Sequence, residues 1–88
     1  MMFAILVYDV GSKRVGKVMK TAKKYLTPVQ NSAFEGVITE GKISRLKAEL
    51  AAIIDPEHDS VIIYKLGSVT FAQKEEIGKV KDADPLFL

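Results

Sequence analysis

Seven apolar residues run without interruption from Met2 to Tyr8 and stop at Asp9. Phe3, Ile5 and Val7 project to one side of an extended chain and Ala4, Leu6 and Tyr8 to the other. Both faces are therefore apolar, the pattern of a central strand covered on both sides. Gly11 and Ser12 interrupt it, and Ser12 stands where a helix N-cap is expected. From 13 to 26 the period changes to 3.6 residues, with Val15, Val18, Met19, Ala22 and Leu26 forming one stripe. Thr27-Pro28 should end this helix, because a residue before proline is pushed out of helical angles.

Residues 29–40 are β-like without a clean alternation. One bent strand, or two very short ones joined near Phe34-Glu35-Gly36, would accommodate them. A second helix is expected over 42–55, with Ile43, Leu46, Leu50, Ile53 and Ile54 on one face. A strongly apolar strand follows over 60–67, and Val69, Phe71 and Ala72 suit a further short strand. The order strand, helix, strand region, helix, strand implies an α+β sandwich with the helices on one sheet face. Two strands within 29–40 make it a ferredoxin-like βαββαβ arrangement.

Eighty-eight residues form one domain with a modest core, for which dimerisation is an expected source of stability. With 48% hydrophobic and 27% charged residues the chain is not of the disordered class. It has no cysteine, hence neither disulfides nor thiolate metal sites. The apolar start is too short to span a bilayer and has no basic lead or cleavage site, so a cytoplasmic location is expected. Charge is unevenly distributed. Residues 1–34 hold six bases and one acid, a balance of +5, whereas residues 35–88 hold seven bases and ten acids, a balance of −3. This asymmetry suggests a polyanionic partner for one face.

Glycine-rich phosphate loops, HExxH and nucleophile elbows are missing, and His58 is the one histidine, flanked by Glu57 and Asp59 before a strand. Asp9, the one acid among the first 34 residues, ends the first strand. It reads either as a turn residue or as a ligand for a hard cation whose other ligands are water and substrate phosphate. Two copies facing each other across a dimer axis would supply two carboxylates. Lys13, Lys17, Lys20 and Lys24 line the polar side of the first helix with no interleaved acid, which suits phosphate neutralisation as well as a solvated face. Arg14, in the first turn, is either a surface charge or a bidentate phosphate contact near Asp9. On pattern alone Tyr8 and Phe34 read as core or interface residues, and Ser32 as a hydrogen-bonding residue.

Tyr8-Asp9-Val10, Arg14-Val15, Val29-Gln30-Asn31-Ser32-Ala33-Phe34-Glu35-Gly36 and Asp59-Ser60-Val61-Ile62-Ile63-Tyr64 occur in register over about the first 67 residues. Together they resemble the CRISPR-associated Cas2 family, particularly its archaeal members. That resemblance implies a ferredoxin-like homodimer with a core at 1–67 and a C-terminal dimerisation segment at 68–88 that adds a strand across to the partner. The apolar Val69, Phe71, Leu86, Phe87 and Leu88 suit such a segment. It further implies a metal-dependent endonuclease acting on RNA or double-stranded DNA, and a central dimer that binds the spacer integrase during CRISPR adaptation. Asp9 is the implied ligand of a Mg2+ or Mn2+ ion shared between subunits, with Tyr8, Arg14 and Phe34 beside it in the catalytic set. Ser12, Pro28 and Ala33 depart from the family pattern, where a base is common at the first two positions and Val at the third. A non-catalytic DNA-positioning dimer is the alternative, and a toxin-like ribonuclease or RNA-binding module of the same fold a more distant one.

Overall fold

A computed structural model of the chain describes residues 1–30, 32–66 and 73–79. Its elements run β1 (Met2–Asp9), α1 (Ser12–Ala22), β2 (Thr27–Pro28), β3 (Ala33–Ile38), α2 (Glu40–Ile53), β4 (Ser60–Leu66) and β5 (Gln73–Gly78). The strands form one antiparallel sheet in the order β2-β3-β1-β4-β5. The first four strands and two helices make the α+β, ferredoxin-like βαββαβ unit that the sequence implies.

Alternation along β1 assigns the two faces. Ala4, Leu6 and Tyr8 are buried with Val18, Ala22, Phe34, Ile43, Leu46, Leu50, Val61 and Ile63 in one cluster beneath both helices. Removing a large side chain such as Leu46 from that cluster would cost about 2–5 kcal/mol. Lys65 also lies on the helix side, where its ammonium meets Glu40 at 2.9 Å and Glu75 at 3.0 Å. These contacts, Glu40 first, raise its pKa and keep a nearly buried lysine charged. The opposite face carries Phe3, Ile5 and Val7 in three rows. Phe3 stands between Val37 and Leu66, Ile5 between Glu35 and Tyr64, and Val7 between Ala33 and Ile62. No helix of the described residues lies on this side; Val37 and Leu66 are exposed on it, Phe3, Ile5 and Val7 are half-buried, and Ile62 and Tyr64 are buried.

Several boundaries differ from expectation for identifiable reasons. Gly11, and not Ser12, caps α1, with no side-chain capping bond. Its carbonyl accepts the N–H groups of Arg14 at 2.9 Å and Val15 at 3.0 Å, so Ser12 is already helical. The helix stops at Ala22 because the N–H groups of Tyr25 and Leu26 both turn back to the Ala22 carbonyl, which frees Thr27 and Pro28 to pair with Glu35 and Phe34. Residues 29–40 hold one strand, β3, and not two joined at Phe34–Gly36; its partner strand β2 is Thr27–Pro28, ahead of that region, where the sequence suggested only the end of a helix. Thr39 caps α2 by accepting the Lys42 N–H at 3.2 Å, so that helix begins at Glu40. The strand expected near Val69, Phe71 and Ala72 lies outside the described residues. β5 begins just beyond, pairing with β4 of the same chain from Lys65↔Gln73 to Ser60↔Gly78. Its charge-rich sequence has no apolar alternation, as suits a strand at a sheet edge.

Candidate functional site

The site is assembled at the end of the sheet where β1 stops and β4 starts. Asp9 pairs with Ser60 in the final step of the β1–β4 ladder. By alternation it continues the row Phe3, Ile5, Val7, so Asp9 stands exposed at the edge of the sheet face away from the helices. Val10 and Gly11 then carry the chain into α1, whose first turn presents Arg14.

Asp59, immediately before β4, is fully buried. Its Oδ1 accepts the Gly11 N–H at 2.9 Å and the Arg14 Nη2 at 3.0 Å, and its Oδ2 accepts Arg14 Nε at 2.5 Å and the Asp55 N–H at 2.9 Å. The Arg14 guanidinium, then the Asp55 and Gly11 N–H groups, hold this carboxyl far below the usual carboxylate range despite its burial. Stability therefore depends on pH with a defined sign. An unfolded Asp takes up a proton near pH 3.9, whereas folded Asp59 stays ionised, so its contribution is complete above about pH 4 and is lost as pH falls further. Between pH 7 and pH 3 the Tm of the wild type should fall more than that of Asp59→Asn. Parallel falls in thermal melts would contradict this assignment.

The candidate residues of the sequence occupy three kinds of position. Asp9, Lys13, Lys17 and Lys20 are exposed. Arg14 is bound bidentately to Asp59. Tyr8 and Phe34 are buried on the helix side, their ring centroids 5.9 Å apart, and brace the end of β1 from within. Lys24 lies just beyond α1 and pairs with Glu49, which also accepts the Tyr25 hydroxyl. That pairing, Lys24 first and Tyr25 second, lowers the Glu49 pKa. His58 is exposed, its Nδ1 3.0 Å from Asp55, and Ser32 is exposed with its carbonyl accepting the Tyr8 N–H at 3.0 Å. Asp59 is the member of the site that no local sequence pattern reveals, since its partners Arg14 and Gly11 stand 45 and 48 residues away.

A hard divalent cation would suit the oxygen donors here. Among the described residues of one chain, no group of three or more His, Cys, Asp or Glu could enclose a metal. Asp9 would thus hold such an ion only together with water, a substrate phosphate or a second copy of itself. No helix of the described residues is long and apolar enough to cross a membrane.

An antiparallel sheet in the order β2-β3-β1-β4 with two helices on one side and an acid at the end of its central strand defines a ferredoxin-like α+β protein. The family model for CRISPR associated protein Cas2 matches residues 1–74, and the chain belongs to that family. It is 44% identical over 81 residues to the CRISPR-associated endoribonuclease Cas2 of Dictyoglomus turgidum, covering 92% of this chain and 93% of the relative. It is 52% identical over 68 residues to the protein of the same name in Pyrococcus furiosus, covering 77% and 80%. Among solved structures, a crystal structure of Cas2 superposes with a TM-score of 0.73 at 37% identity, covering 94% of this chain and 93% of the other.

Proposed function

We propose that the protein is a CRISPR-associated endonuclease, cutting RNA or double-stranded DNA as a homodimer with a Mg2+ or Mn2+ ion between paired Asp9 carboxylates. The observation that carries this reading is the exposed place of Asp9 at the end of β1, on the sheet face away from the helices and in line with Phe3, Ile5 and Val7. A second copy laid on that face would bury apolar surface, at roughly 25 cal/mol per Å2, and a two-fold axis near the strand end would bring the two Asp9 residues together. The same β4 edge that receives β5 in this chain suits exchange of β5 between subunits. When bound, the ion would polarise a phosphate oxygen and lower the pKa of a water ligand. Asp9 supplies the anchoring charge. Tyr8 and Phe34 stiffen the strand behind it, and Lys13, Lys17 and Lys20 hold the nucleic-acid backbone.

Chelation tests the reading directly. EDTA should abolish cleavage by the purified protein, and Mg2+ or Mn2+ should restore it. Full activity in excess chelator would remove the metal site. The lysines should set affinity without setting sequence choice. Replacing Lys13, Lys17 and Lys20 by Gln should flatten the log–log salt dependence of duplex binding by about 0.9 for each phosphate no longer neutralised. An unchanged slope would show that α1 faces away from nucleic acid.

A second reading is favoured by the thin chemical equipment of the site. Tyr8 and Phe34 are buried and Arg14 is engaged by Asp59, so Asp9 is the exposed member of the catalytic set. A dimer so equipped serves equally as a DNA-positioning scaffold that binds the spacer integrase during adaptation.

A further inference from the structure

We infer that Asp59 is the positioning residue of the Asp9 site, fixing the loop that follows Asp9 through its bonds to Gly11, Arg14 and Asp55. The inference rests on the proposed metal-binding role of Asp9. Its basis is the way the Asp59 carboxylate is used. Two oxygens offer about four acceptor positions, and all are taken: Gly11 N–H, Asp55 N–H, Arg14 Nε and Arg14 Nη2.

Asp9 is consequently held on both sides. Before it, the β1–β4 ladder runs without a break to Asp9↔Ser60. After it, one residue intervenes before Gly11, whose N–H is fixed to Asp59 at 2.9 Å. Asp59 adjoins Ser60, so both restraints act through the same short stretch of chain. Functional groups have to be held to within about 0.5 Å, and a buried, fully bonded carboxylate supplies that rigidity where a free loop would not.

Gly11 belongs to the same device. A Cβ there would lie 2.6 Å from Arg14 Nη2 and 3.6 Å from Asp59 Oδ1. Its backbone, φ −58 and ψ 148, is open to any residue, so glycine is required by the guanidinium that lies over it. Alanine at this position would displace the far end of a flexible side chain and leave the fold in place.

Binding of Mn2+ by the full-length protein, followed by loss of the free-ion EPR signal, separates the possibilities without relying on catalysis. Asp9→Asn should eliminate binding. Asp59→Asn and Gly11→Ala should weaken it by about 10-fold, the low end of the effect of removing a group bonded directly to a metal ligand, since Asp59 acts on Asp9 through Gly11, with native circular dichroism retained. Loss of binding in Asp9→Asn with wild-type affinity in the other two would overturn the positioning role and leave the metal site standing. Wild-type affinity in Asp9→Asn would overturn both. If Asp59→Asn does not fold, Gly11→Ala decides the question alone.

Discussion

Asp9→Asn should lower phosphodiester cleavage by about two orders of magnitude or more while leaving fold and nucleic-acid affinity close to wild type. Asparagine keeps the shape of the side chain and removes the charge that would hold the ion. A metal contributes several kcal/mol of transition-state stabilisation, and each 1.36 kcal/mol is a factor of about ten in rate. Asp9 is exposed at a strand end and pairs through its backbone with Ser60, so the substitution leaves the core untouched. The lysines of α1 are on a different element and should continue to bind phosphate. Cleavage assays with contaminating nucleases excluded provide the measurement, and undiminished cutting would sink the site. Spacer acquisition in cells carrying Asp9→Asn then separates the two functional readings: acquisition near normal favours the scaffold, and its loss the nuclease.

Gly78→Ala should be the most damaging single-methyl change in the described chain. Gly78 has φ +87, a region costly for residues with a side chain, by about 1–3 kcal/mol. A Cβ there would also lie 2.1 Å from the Asp59 carbonyl oxygen and 3.1 Å from Ile54 Cδ1. That oxygen accepts the Lys79 N–H at 2.7 Å, so the clash falls on the bond that closes the end of β5. Detachment of β5 from β4 is expected, with a fall in Tm of at least about 4–8 °C for each kcal/mol of destabilisation. Hydrogen exchange should show β5 amides opening first. Sedimentation should report a weaker dimer if β5 also serves the partner. A variant with wild-type Tm and protected β5 amides would refute the steric argument.

The hydrophobic pattern is sufficient for β1, both helices and β4, because each buries a stripe of its own: Ala4-Leu6-Tyr8, Val18-Ala22, Ile43-Leu46-Leu50 and Val61-Ile63. It fails where a segment is held by partners and not by its own apolar content. β2 is two exposed residues fixed only by pairing with β3, and β5 is an edge strand of mixed charge. For the site, the position of Asp9 is readable as the end of an apolar run. The destination of Arg14 is not, because a guanidinium in a first helical turn suits a phosphate and a buried carboxylate equally. In sequence Asp59 is one acid among Asp55, Glu57 and Asp59 in a turn, and only its burial distinguishes it from its neighbours.

The contacts of Asp59 also impose an order in time on the growing chain. Asp9 and Arg14 are made before Asp59, and the loop between them cannot close on that carboxylate until residue 59 has been made and β4 has paired with β1. The Asp59 carbonyl in turn waits for Lys79. Loop closures of this span come after local helix formation in folding, since their entropy must be offset by contacts that form last. A chain that stops short of residue 59 would therefore carry every residue of the first strand and helix and still have no ordered loop after Asp9.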